Sequence, residues 1–235
     1  MSGPGEVTLR YEVCVETAEG VRAALTAGAD RVELCANLAV GGTTPSAGLI
    51  GWAAGAARGR PRYRLRVHVL VRPRGGDFVY DDDEADVMAR DIRAAKAAGA
   101  DGVVIGALTP DATVDMALSA RLIALARPLS VTFHRAFDDT ADPVAAFGDV
   151  LALGADRLLT SGGAATAIEG AEVIRELVAR SGGKTEVLAG SGVTERTAAE
   201  IVRRTGVREL HFSARAAAVD VPFAERVARI MAAAR

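Results

Sequence analysis

Eight times along the chain, a short run rich in Val and Leu gives way to an Ala-rich stretch with helical periodicity. The strand-like runs lie near 7–15, 31–35, 64–71, 102–106, 129–134, 157–160, 186–189 and 209–213. The helical stretches lie near 17–27, 46–57, 83–98, 113–126, 142–153, 166–181, 194–204 and 221–234. Alternating strands and helices build a parallel sheet, and eight such units in 235 residues predict an α/β chain closed into a (β/α)8 TIM barrel. An open doubly wound sheet is the alternative, and the count of eight disfavours it. The segments AGADRV (27–32), AGADGV (98–103), LGADRL (153–158) and TGVREL (205–210) each join a helix to the next strand. Their glycines suit the left-handed residue that ends a helix. No linker or break in composition divides the chain, so one domain is expected over 7–235, behind a flexible N-terminus at 1–6.

Composition narrows the function classes. Half the residues are apolar, which excludes a disordered chain. A net charge of −2 argues against a binder of phosphate backbones, and the basic cluster at 58–66 has only Tyr63 as an aromatic. No nucleic acid partner is therefore expected. No apolar run approaches the ~18 residues that span a bilayer, and the first residues lack the pattern of a signal peptide. No membrane partner and a cytoplasmic location follow as expectations. Two cysteines in so long a chain are not a disulfide scaffold.

Strand residues of a barrel alternate between the interior and the face covered by helices. The covered set must be apolar, so the sequence itself assigns the faces. Tyr11, Val13 and Val15 oppose Arg10, Glu12 and Cys14; Val32 and Leu34 oppose Arg31, Glu33 and Cys35. Val67, Val69 and Val71 oppose Arg66, His68, Leu70 and Arg72. Val131 and Phe133 oppose Thr132 and His134, and Leu210 and Phe212 oppose His211 and Ser213. The inward set holds both cysteines and all three histidines of the chain. Cys14, Cys35, Arg72, His134 and Ser213 stand at C-terminal strand ends, where enzymes of this fold keep their active sites. The arginines at the strand starts, Arg10, Arg31, Arg64 and Arg66, read instead as an ion ladder with Glu12 and Glu33 that fills the barrel.

Several constellations carry chemistry. Cys14 and Cys35 end neighbouring strands, about 5 Å apart. Two thiolates there suit a soft ion such as Cu(I); two buried free cysteines, or a disulfide, are the alternatives. In VRPRGGDFVYDDDE (71–84), Arg72 and Arg74 offer forked donors for a carboxylate or phosphate. The run Asp81-Asp82-Asp83 reads as a helix cap. In TFHRAFDDT (132–140), His134 beside Arg135 and Asp138 suits a general acid or base. LTSGG (159–163), with Thr160 and Ser161, and AGSGV (189–193), with Gly190 and Gly192, are small strand-to-helix turns that can cradle an anion. The two lysines, Lys96 and Lys184, fall in a helix and a bottom-face turn, so Schiff-base chemistry is excluded.

The segments DRVELCANLAVGGTTPSAGLI, VRPRGGDFVY, PLSVTFHRAFD, DRLLTSG and AGSGV closely resemble the CutC family of copper homeostasis proteins, from about Arg10 to Ala214. Thr43 and Gly163 stand where that family usually has Leu and Gln. The resemblance implies a cytoplasmic TIM barrel tied to copper tolerance or trafficking, in which Cys14 and Cys35 are the candidate Cu(I) ligands. Two functions are therefore carried forward. In the first, Cys14 and Cys35 hold copper, with Glu12, Glu33 and His68 behind them. In the second, the protein is an enzyme for a small anionic or phosphorylated metabolite. There Arg72 and the turns at Gly190–Gly192 and Ser213–Arg215 hold the anion, and His134 or Glu33 transfers a proton. Arg135, Thr160 and Ser161 line the same mouth. Association as a homodimer or higher homo-oligomer stays open.

Overall fold

Alternation of apolar and polar residues along short strands, with a crossover helix after each, forces every strand to bury one face under helices and the other inside a closed sheet. The computed structural model describes residues 8–59, 64–213 and 221–235. Among them eight parallel strands close in sequence order, β1 pairing with both β2 and β8. The strands are β1 (Arg10–Val15), β2 (Arg31–Leu34), β3 (Arg66–Leu70), β4 (Gly102–Ile105), β5 (Ser130–Phe133), β6 (Arg157–Thr160), β7 (Glu186–Ala189) and β8 (Glu209–Phe212). The helices are α1 (Ala18–Ala27), α2 (Ala47–Arg58), α3 (Asp82–Ala98), α4 (Met116–Ala126), α5 (Pro143–Leu153), α6 (Ala171–Ser181), α7 (Ala198–Thr205) and α8 (Phe223–Ala233). This is the expected (β/α)8 barrel. The expected flexible 1–6 segment, and Ala214 and Arg215 of the turn after β8, lie outside the described residues.

Local chemistry sets the element ends. Gly28, Gly99, Gly154 and Gly206 close α1, α3, α5 and α7 in the left-handed region, at φ 80, 84, 68 and 73°. Asp81 caps α3 and forms a capping box with Glu84, so the acidic run is a helix start, as its sequence implied. α6 and α7 begin later than periodicity suggested, at Ala171 and Ala198 rather than near 166 and 194. The residues before them form turns over the barrel mouth, knit by Thr166 with Glu169 and Thr194 with Thr197.

Two separate cores follow from the parity. The large one, including Val13, Val32, Val67, Phe133 and Leu210, lies between strands and helices. The small one lies inside the barrel and holds Cys14, Cys35, Leu70 and Val104. Beneath it the interior is charged. Arg31 bonds Glu12 through Nε and Glu209 through Nη2, the latter at 2.6 Å. Arg157 bonds the same Glu209 at 2.9 Å and Ser130 at 2.7 Å. Glu12, Arg31 and Glu209 are all at most 2 % exposed, so each charge depends on the others for compensation. The expected ladder is thus narrower than the strand starts implied. Arg31 belongs to it, and Arg10, though largely exposed, reaches Glu209 Oε1 at 3.5 Å, whereas Arg64 pairs with Asp101 at the exposed rim.

Burial by itself would raise the Glu209 carboxyl, but the charges of Arg31 and Arg157 hold it below its ordinary 4.5. The ionised form is the one the fold favours. Its stabilisation is therefore present above pH 4.5 and is lost as the pH falls through the depressed value. Glu209→Gln should lose about 3–5 kcal/mol at neutral pH. Urea unfolding at a series of pH values checks this: the gap to the parent protein should narrow in acid.

Candidate functional site

At the C-terminal end of the barrel an open cavity of about 500 Å³ runs down to the upper ends of β1, β2 and β8. Of the residues singled out in the sequence, Cys14, Glu33, Arg72, His134, Arg135, Gly192 and Ser213 line it. Glu12, Cys35, His68, Thr160, Ser161 and Gly190 do not. The two groups differ for specific reasons.

One wall carries sulfur, carboxylate and imidazole. The Sγ atoms of Cys14 and Cys35 lie 3.5 Å apart, and Cys35 also meets the Val15 carbonyl at 3.3 Å. Both cysteines are free and buried. In the β1–β2 register Cys14 stands opposite Glu33, and in the β8–β1 register Glu12 stands opposite His211. As a result Cys14, Glu33 and His211 bring ligand-capable atoms within 4.8 Å of one another. His211 Nδ1 meets Glu12 Oε1 at 2.7 Å, and Nε2 lies 3.7 Å from Glu33 Oε2. Burial alone would lower the imidazole, but the charge of Glu33 and hydrogen bonds to Cys14 and Glu12 push it well above its ordinary value. Burial, countered by His211 and reinforced by Glu12, raises Glu33. The Cys14 thiol is pushed up by its hydrogen bond to Cys35, then by burial and by the charge of Glu33.

His211 is the member that site reasoning from sequence left out. Its inward parity was visible, but its proximity to Cys14 depends on barrel closure, which places the last strand beside the first. His68, expected behind the cysteines, lies lower in the barrel. Its ring packs over Gly102, where a Cβ would come within 2.6 Å, and burial together with Arg31 lowers its pKa well below the ordinary value.

The opposite wall is built on β3 and β5. His134 follows β5, and its Nδ1 accepts from the Ala136 N–H at 3.1 Å, at the start of the 3-10 turn Arg135–Asp139. A nitrogen that accepts carries no proton, so the ring is neutral with its hydrogen on Nε2. Burial and the nearby charge of Arg72 lower its pKa to about 3. Near neutral pH the ring is neutral, and its N–H at Nε2 has no hydrogen-bond partner among the described residues. Its ring fits only because residue 106 is glycine: a Cβ there would lie 2.4 Å from it.

Arg72 and Phe78 complete this wall. Arg72 Nη1 donates to the Val40 and Gly42 carbonyls at 3.0 and 2.9 Å, and Nη2 to Gly76 at 2.6 Å. Its guanidinium lies over the Phe78 ring at 4.7 Å, and the His134 ring lies 5.0 Å from the same Phe78. Arg74, the other expected anion donor, is committed to Glu84 and Asp77.

Thr160, Ser161 and Arg135 serve a different task. Asp138 accepts from the Thr160 hydroxyl at 2.5 Å, the Ser161 amide and hydroxyl at 3.0 and 2.9 Å, and the Gly163 amide at 3.1 Å. Arg135 pairs with it at 2.8 Å. Thr160 shares parity with Leu158 and points away from the interior, which explains its absence from the cavity. Gly190 is likewise spent on packing, since a Cβ there would lie 2.6 Å from Leu159.

A sequence model of the CutC family matches residues 9–216. The chain belongs to the CutC family. The human copper homeostasis protein cutC homolog is 47 % identical over 204 residues, covering 87 % of this chain and 72 % of that one. A family protein CutC from Pasteurella multocida is 44 % identical over 205 residues, covering 87 % and 82 %. A solved CutC structure from Streptococcus agalactiae superposes with a TM-score of 0.82 at 35 % identity, covering 88 % of this chain and 99 % of that one. No helix among the described residues is long and apolar enough to cross a membrane.

The Asp138 clamp of this CutC chain yields a direct prediction. Asp138→Ala strips the acceptor from Thr160, Ser161 and Gly163 at once. The loss in stability, read by chemical denaturation, should be about 3 kcal/mol.

Proposed function

We propose that this CutC chain is a copper homeostasis protein that holds Cu(I) on Cys14 and Cys35, with His211 as the third donor. One observation supports the reading: two free thiols 3.5 Å apart at the base of an open cavity, of which Cys14 also lies within 4.8 Å of the His211 imidazole. The human relative and the Streptococcus agalactiae structure, both named for copper homeostasis, supply the link to copper. Donor chemistry agrees, because thiolates and imidazole match a soft monovalent ion, whereas the Glu33 oxygens are hard donors better suited to other metals.

The surroundings tell how copper would be taken. Cys14 forms part of the cavity wall and meets an incoming ion first; Cys35 is fully buried behind it. The thiol of Cys14 and the imidazole of His211, whose surroundings favour its protonated form, each have to surrender a proton to become ligands, so binding is coupled to proton release. Glu12, bonded to His211 Nδ1, fixes the ring so that Nε2 faces the Cys14 and Glu33 side. Free, buried thiols also fit a reducing cytoplasmic setting.

Anaerobic titration with Cu(I) against a chromophoric competitor tests the proposal. Cys14→Ser/Cys35→Ser should weaken binding by at least about a hundredfold, or ~2.8 kcal/mol. His211→Gln should weaken it by about tenfold. Unchanged affinity in the double variant, or tighter binding of Zn(II) than of Cu(I), would overturn the assignment.

A further inference from the structure

Arg72 and His134 share a feature that copper does not explain. Each is only 5 % exposed, each lines the cavity, and each keeps a donor with no partner among the described residues: Nε of Arg72 and Nε2 of His134. Buried polar atoms are normally satisfied. Arg72 is a further anomaly because it is a buried cation whose hydrogen bonds run to neutral backbone carbonyls. No carboxylate among the described residues pairs with it, although Arg74, two residues on, takes two. A buried charge without a counter-charge is costly unless a ligand supplies one.

The wall around Arg72 is fixed rather than adaptable. Three backbone carbonyls orient the guanidinium, and Gly41 allows its approach, since a Cβ there would stand 3.1 Å from Nη1. Phe78 lies against both the guanidinium and the imidazole. The Ala136 amide obliges the imidazole to present N–H at Nε2. The site therefore offers one positive charge and few free N–H donors, beside the apolar side chains of Leu38, Leu70 and Phe78. That matches a single planar carboxylate on a small organic body. A phosphate, with more oxygens and up to two charges, would want more donors than remain.

We propose that Arg72 and His134 form a carboxylate-binding subsite in the cavity wall, one that takes a small organic acid without any metal. It sharpens the sequence expectation of an anion at the mouth and changes its address. The anion sits at the β3 and β5 side, and not in the Thr160–Ser161 turn, whose donors Asp138 already occupies.

The test uses the full-length protein freed of metal by a Cu(I) chelator. Acetate, pyruvate, malonate and benzoate are titrated by calorimetry, with inorganic phosphate run in parallel. At least one carboxylate should bind saturably, in the ~1 mM range or tighter, and more tightly than phosphate. His134→Phe keeps a ring against Phe78 but removes the donor, and should weaken that carboxylate by about tenfold or more. Arg72→Met should abolish binding, with thermal melts reporting whether the variant stays folded. Should it unfold, His134→Phe decides alone. Absence of saturable binding by every carboxylate, phosphate binding as tightly as carboxylate, or undiminished affinity in His134→Phe would each overturn the proposal. Copper affinity does not enter any of these readouts, so the two sites stand or fall separately.

Discussion

Arg31 between Glu12 and Glu209 is the contact on which the interior of this barrel depends. A closed eight-stranded sheet has to be filled from within, and aliphatic side chains are the usual filling. Here the lower interior on the β8–β1–β2 side is filled by charge instead. Arg157, Glu209, Arg31, Glu12 and His211 form one hydrogen-bonded chain from near the bottom to the mouth. Each link compensates the next, so the loss of one member strands its neighbour in a dry interior. The same chain sets the state of the site, because Glu12 is bonded to Arg31 below and orients His211 above.

The mouth divides by chemistry into two walls. The β1–β2–β8 wall presents two thiols, a carboxylate and an imidazole held from below by acids. The β3–β5 wall presents a buried cation and an imidazole N–H grouped around Phe78, which is an environment for an oxygen ligand. Glycines make the histidines possible. Gly102 leaves room for His68 and Gly106 for His134, so the polar layer is bought with backbone space on β4 and just beyond it.

Much of this was legible in the chain. Eight strand–helix units, the four glycine-closed helix ends, the inward parity of both cysteines and three histidines, and the CutC resemblance all follow from local pattern. Parity placed Glu12, Cys14, Arg31, Glu33, Cys35, His68 and His211 in the barrel interior, while Arg10, Arg64 and Arg66 at the strand starts reach the exposed rim. On β6, where parity was not applied, Thr160 was read as a mouth residue, although it shares a face with Leu158. Arg157, on that same strand, was likewise missed as a member of the buried ion chain. In TFHRAFDD the neighbours divide: Asp138 pairs with Arg135 and accepts from the Thr160–Gly163 segment, while His134 accepts from the Ala136 amide.

By itself the sequence determined the barrel and which side chains face its interior, because period-two alternation and helix-end chemistry are local and need no partner. Only the tertiary structure decided which inward residues meet. Closure of β8 onto β1 brings His211 to Cys14 across nearly the whole chain. Strand register sets Cys14 against Glu33. Loop packing commits three donors of Arg72 to carbonyls while leaving its charge without a counter-charge. Those outcomes depend on distances between segments remote in sequence, and periodicity carries no information about such distances.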